Sequence, residues 1–96
     1  RKPKLIVYNL GYLPGYDKSI KTTQETTLQS IQAGLECLDE HGAISITCYP
    51  GHAEGAVEEE TLINFSKQLD PRKWRTLFCR FTNRTLAPSL ILIQKN

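Results

Sequence analysis

The sequence predicts an α/β protein of element order β-α-β-α-β-β, an open and mainly parallel sheet finished by an antiparallel hairpin. Three observations carry this expectation. Residues 4–10 and 43–49 are short runs rich in β-branched and aromatic side chains, and each gives way to glycine and proline. Each is followed by a segment whose apolar residues recur at helical spacing. Two more strand-like runs, residues 74–83 and 89–94, are separated by too few residues for a crossover, so they must run antiparallel. The first three strands, joined by helical crossovers, are parallel with right-handed connections.

The first strand, from Lys4 to Leu10, carries Leu5, Ile6, Val7 and Tyr8 without alternation. A strand apolar on both faces belongs in the centre of a parallel sheet, so one of its neighbours is expected to lie outside this chain. Thr22 and Glu25 form a capping box at the start of the first helix. Leu28, Ile31, Leu35 and Leu38 then share one helical face, and Gly42 stands where a left-handed cap ends a helix. His41 is placed to interact with that helix terminus. Gly34, inside the helix, costs about 1 kcal/mol relative to alanine, a cost that close packing of helix on sheet explains. Glu58, Glu59 and Glu60 are expected at the positive end of the second helix, which continues through Leu62, Phe65 and Leu69 to Asp70-Pro71. A short loop carrying Arg84 and Pro88 joins the last two strands.

With 96 residues there is room for one domain at most and a modest core. Hydrophobic residues at 40% and charged residues at 23% are ordinary for a globular protein. No apolar run approaches the roughly 20 residues of a membrane span, so no membrane partner is expected, and the first residues do not form a signal peptide. A net charge of +2 is too small to argue for nucleic acid by itself. Cys37, Cys48 and Cys79 are an odd number without C-x-x-C spacing. They predict no metal site and fit a reducing compartment, cytoplasmic or organellar. The chain has no methionine and starts with arginine, so Arg1 reads as an internal position.

Open parallel sheets bind ligands beyond the carboxyl ends of their strands. The first strand delivers Asn9-Leu10-Gly11-Tyr12-Leu13-Pro14-Gly15 to that edge, and the second delivers Tyr49-Pro50-Gly51-His52. Glycine permits close backbone approach to a ligand. Asn offers an acceptor and two donors, and Tyr a ring with a hydroxyl. From the residues alone, Asn9 is either a catalytic positioning group or a turn cap, and Tyr12 either a base platform or loop packing. Asp17 is either a proton acceptor or a partner of its own loop. His52 is either a proton acceptor near the ligand or a structural residue. Arg72, Lys73, Arg75, Arg80 and Arg84 are either a surface for RNA phosphate or a solvated basic face.

The first block, followed by Asp17-Lys18-Ser19-Ile20, Thr22-Thr23 and Glu25-Thr26-Thr27, and the second, followed by Glu54-Gly55, resemble a bacterial and plant family labelled "putative rRNA methylase". The resemblance covers nearly all of the chain. It implies a Rossmann-like methyltransferase sheet, of which residues 1–96 are a partial domain, the C-terminal half. It also implies S-adenosyl-L-methionine as cofactor and RNA as partner, with an aminomethyl-uridine of tRNA as the methylated group. Asn9-x-Gly11-Tyr12 stands where amino-methylating enzymes carry Asn-Pro-Pro-Tyr. By that likeness Asn9, Tyr12 and Asp17 are catalytic, and Asn9, Leu10 and Gly11 touch the cofactor. Tyr12, Leu13, Pro14, Gly15 and His52 touch the substrate. Leu10 and Gly11 replace both prolines of the pattern. The family's glycine-rich cofactor loop and ribose-binding acid have no counterpart here, so the isolated chain is expected to be inactive.

Two other readings compete. One is a non-catalytic α/β module that self-associates, and a homodimer through the strand from Lys4 to Leu10 is expected in any case where that edge is bare. The other is a different Rossmann-like enzyme, but the chain has no G-x-x-x-x-G-K-[ST] loop and no serine-elbow pattern.

Overall fold

The computed structural model describes residues 2–10 and 24–96. Its elements are β1 (Leu5–Leu10), α1 (Gln24–Cys37), β2 (Ala43–Cys48), α2 (Ala53–Lys67), β3 (Trp74–Cys79) and β4 (Ser89–Lys95). The element order is the expected one. The four strands form one sheet in the order β1-β2-β4-β3, with β1 parallel to β2 and β4 antiparallel to both β2 and β3. β1, β2 and β3 therefore point the same way, and the hairpin folds β4 back between β2 and β3.

Both crossovers step along the sheet in one direction, so a single handedness puts both helices on one face. The core lies there. Ile31, Leu35 and Leu38 of the α1 segment and Leu62 of α2 meet Ile44, Ile46 and Cys48 of β2 and Ile91 and Ile93 of β4. The intervening strand residues face the other way. On that face Leu5 and Val7 are each 58% exposed and Leu77 is 56% exposed. β1 thus alternates between exposed and half-buried positions. Among the described residues it is an edge strand, covered on one face only.

Gly34 does what close packing requires. A Cβ there would meet Ile44 Cδ1 at 3.2 Å, Ile6 Cδ1 at 3.3 Å and the Tyr8 hydroxyl at 3.4 Å. Tyr8 also ties β1 to α1, its hydroxyl donating to the Ser30 carbonyl at 3.1 Å. The turn after α1 differs from expectation. The left-handed residue is His41, with φ of 63°, rather than Gly42. Gly42 is needed for space, since a Cβ would sit 2.9 Å from the Asp39 carbonyl oxygen and 3.1 Å from Leu38 Cδ2. The Thr22 half of the capping box lies outside the described residues.

The second helix begins five residues earlier than the glutamates suggest. His52 is its N-cap, and Glu54 is the acidic residue of its first turn. Glu58, Glu59 and Glu60 therefore lie inside the helix, and Glu59 turns towards the sheet, only 7% exposed. β3 is also shorter than expected, ending at Cys79. The connection to β4 is accordingly residues 80–88, longer than a tight hairpin loop. Among the described residues no helix is long and apolar enough to cross a membrane.

Candidate active site at the carboxyl edge of the sheet

Parallel pairing of β1 and β2 in register, Asn9 opposite Thr47 and Leu10 opposite Cys48, brings the two carboxyl ends side by side. Asn9 projects from the open face and is exposed, whereas Leu10 points towards the core side and is half-buried. The loop after β2 returns over this edge. The Tyr49 hydroxyl donates to Asn9 Oδ1 at 3.5 Å, a long, weak contact that brings the two exposed side chains together. Of the two blocks singled out in the sequence, the structure therefore joins Asn9 to the Tyr49 loop. Gly11, Tyr12, Leu13, Pro14, Gly15 and Asp17 lie outside the described residues.

His52 has a structural task at the same edge. Its Nδ1 accepts from the Gly55 N–H at 3.3 Å, which caps α2. That bond requires an unprotonated Nδ1, so a neutral ring carries its proton on Nε2. Gly55 completes the joint, because a Cβ there would overlap the Tyr49 carbonyl oxygen. The Tyr49-Pro50-Gly51-His52 loop is thus locked to the helix that follows it. Glu58 lies near the same imidazole. Burial pushes its carboxyl above the ordinary value, His52 pulls it down and Glu54 adds to the rise.

Sequence reasoning missed a second polar cluster, on the core side of this edge. The Ser89 hydroxyl donates to Glu59 Oε2 at 2.5 Å, and the Arg80 guanidinium lies 3.6 Å from Glu59 Oε1. Ser89 is paired in register with Cys48, whose thiol burial pushes up to about 11, helped by Glu59 and Glu58 and opposed by a hydrogen bond with Ser89. One helix carboxylate thus fastens the end of β3 and the start of β4. A glutamate in the middle of an acidic triplet gave no sign of this, since only the true start of α2 shows that Glu59 faces inward.

The sequence and the α/β architecture find counterparts among known proteins. A family model described as "Putative rRNA methylase" matches residues 1–95. The chain belongs to this family. Among the family's relatives, a chloroplastic tRNA (mnm5s2U34)-methyltransferase of Arabidopsis thaliana is 39% identical over 94 residues, which are 96% of this chain and 34% of that protein. The crystal structure of a putative rRNA-methylase from Clostridium thermocellum superposes with a TM-score of 0.89 at 36% identity, covering 97% of this chain and 50% of that one. A putative methyltransferase from Streptococcus mutans, in complex with SAH, superposes with a TM-score of 0.86 at 33% identity, covering 100% of this chain and 53% of that one. This chain therefore spans about a third of the plant relative and half of the two crystal structures. The sequence resemblance and the α/β fold class expected from it are both confirmed.

Proposed function

We propose that this chain is the C-terminal half of an S-adenosylmethionine-dependent RNA N-methyltransferase domain, acting on an aminomethyl-uridine of tRNA. The observation that carries the proposal is Asn9, held at the carboxyl end of β1 with its amide oxygen in contact with Tyr49 from the neighbouring strand's loop. The tRNA methyltransferase activity for which the Arabidopsis relative is named and the SAH held by the S. mutans relative agree with it.

The residues at hand fit one side of a cofactor pocket. Asn9 and Leu10, with Gly11 after them, would line the pocket beside the methyl group, and the glycine-rich loop and ribose-binding acid that the family uses for the methionine and ribose portions have no counterpart in this sequence. When bound, S-adenosylmethionine supplies an electrophilic methyl on sulfur. The chain's own part is to present the nucleophile. A primary amine attacks only when neutral and with its lone pair in line. Asn9 Oδ1 accepts one N–H of that amine and so turns the lone pair away from itself, towards the pocket. Tyr12 supplies a ring for the base, Asp17 takes the released proton, and Leu13, Pro14, Gly15 and the exposed edge of His52 shape the mouth. On this reading the isolated chain is inactive, and the protein works in a reducing compartment, cytoplasm or organelle.

The test is Asn9→Ala in the intact protein. An orienting contact at the reacting atom acts on the transition state, so the single-turnover rate on unmodified tRNA should fall by about 10²-fold or more, with cofactor affinity changed less than about threefold. A variant that keeps most of its rate would return Asn9 to a turn residue.

A second reading, a self-associating module without catalysis, is favoured by the outer edge of β1, with which no described strand pairs, and by the exposed Leu5 and Val7. In the isolated chain we infer a homodimer through β1, whichever reading holds for the intact protein.

A further inference from the structure

The basic residues of the last third of the chain do not form one patch. Arg72 sits at the amino end of β3, and its backbone N–H and side chain bind Asp70 at 2.9 Å and 3.3 Å. Arg80 and Arg84 lie beyond the carboxyl end of β3, on the same sheet edge as Asn9. There each guanidinium stands over a phenyl ring. Arg80 is 5.3 Å from the centroid of Phe78, and Arg84 is 5.8 Å from that of Phe81. Phe81 is nevertheless 57% exposed.

A groove of about 330 Å³ leads from this connection towards Asn9, lined among others by Phe81, Arg80, Cys79, Leu90 and Thr47. Cys79, Leu90 and Thr47 are register partners in one row across the sheet, and Asn9 is the next residue in that row. Three strand spacings, about 14 Å, separate its two ends. The connection is also held in place. Glu59 grips Arg80 at one end of residues 80–88 and Ser89 just after the other.

We propose that residues 80–88, through Phe81 and Arg84, are a contact surface for the unpaired nucleotides beside the methylated base. This rests on the RNA substrate proposed above. A solvated basic face needs no exposed ring beneath its cation, and an apolar protein contact needs no cation over its ring. Alternating rings and guanidinium groups are what unpaired RNA takes, bases on the planes and phosphates on the charges. Arg84 has no carboxylate partner among the described residues, so its charge is available to a polyanion.

The experiment is fluorescence anisotropy of the intact protein with an unmodified RNA stem-loop and with a fully paired duplex of equal length, titrated over a range of salt. Phe81→Ala should weaken stem-loop binding by about 10-fold, with little change for the duplex. Arg84→Ala should weaken it and lower the slope of log affinity against log salt by about 0.7, the share of one phosphate contact on a single strand, and Arg84→Lys should restore the slope. Both side chains are exposed, so thermal midpoints should hold. Wild-type affinity and slope in both alanine variants would overturn the proposal, as would a wild type that ignores RNA. It would also fall if the variants altered molar mass in light scattering while RNA binding stayed intact, because the surface would then join copies of this chain. The two proposals fail separately. Protein that binds through Phe81 and Arg84 but transfers no methyl group would sink the reaction alone, and methylation with both variants at wild-type affinity would sink the surface alone.

Discussion

Cys48 shows how burial decides the chemistry of a side chain. It is 1% exposed, paired with Ser89 across the β2–β4 ladder, and its thiol is pushed up to about 11. At pH 8 only about one molecule in a thousand would carry the thiolate, the form that reacts. Cys37 and Cys79 are exposed. Alkylation of native protein at pH 8, read by peptide mass spectrometry, should modify Cys37 and Cys79 and leave Cys48 untouched until denaturant is added. Early labelling of Cys48 would mean that the β2–β4 edge opens. The same shift has a consequence for stability. The folded value lies above the ordinary 9.0, so between about pH 9 and 11 unfolding releases a proton. Stability should fall across that window, by at most about 3 kcal/mol. Neither effect was legible in the sequence, where the three cysteines look alike. What was legible at this level was the place of Asn9 near the carboxyl end of β1, because an apolar run that gives way to Asn9 and then Gly11 announces the end of a strand. Tyr49, its partner, became visible only once β1 and β2 were in register.

The two helices divide what local signals can and cannot reveal. α1 followed from Leu28, Ile31, Leu35 and Leu38, and Gly34 was correctly suspected of close packing, since a helix does not carry an interior glycine without a contact that needs it. α2 was misplaced because its start carries none of the usual capping residues. His52 supplies the acceptor instead, and the glutamates that suggested a first turn lie further along. Gly55 is the element's hidden constraint. A Cβ there would overlap the Tyr49 carbonyl, which is backbone and has no soft rotamer to yield. Gly55→Ala should therefore destabilise by about 1–3 kcal/mol in urea unfolding, although alanine is the better helix former by about 1 kcal/mol. A neutral or stabilised variant would show that α2 does not pack on the Tyr49 loop. Because that loop carries the hydroxyl that contacts Asn9, the helix start and the candidate site share one joint. The hairpin was foreseen as antiparallel, but the insertion of β4 between β2 and β3 was not. Pairing partners depend on the whole sheet, and just beyond the end of β3 Arg80 lies 3.6 Å from the Glu59 carboxylate.

Among the described residues one face of the sheet is covered by helices and the other is open. Ile6 and Tyr8 pack towards the core, while Leu5 and Val7 stay 58% exposed on a strand whose described partner is β2. A strand apolar on both sides foretold a central position, whereas among the described residues β1 lies at the edge of the sheet. The relatives are two to three times longer than the segment they share with it, which agrees with a neighbour supplied from elsewhere in the intact protein. Where no neighbour is supplied, no described strand pairs with the outer side of β1, and its N–H and C=O groups there are a template for another chain, with Pro3 and Lys4 as deterrents at its start. Two copies related by a two-fold axis can pair β1 with β1 in antiparallel fashion, and the contact is then self-complementary and closed. The same axis brings the exposed leucines and valines of both chains together. We expect the isolated chain to reach twice its 10.9 kDa mass in light scattering as concentration rises. Val7→Lys should weaken association by 10-fold or more, because it puts like charges across the dimer axis, and should leave the core intact because Val7 faces away from it. An isolated chain that stays monomeric at high concentration would refute the dimer. It would also show that something within the chain covers β1, and the proposed place of this strand at the centre of a larger sheet would fall with it.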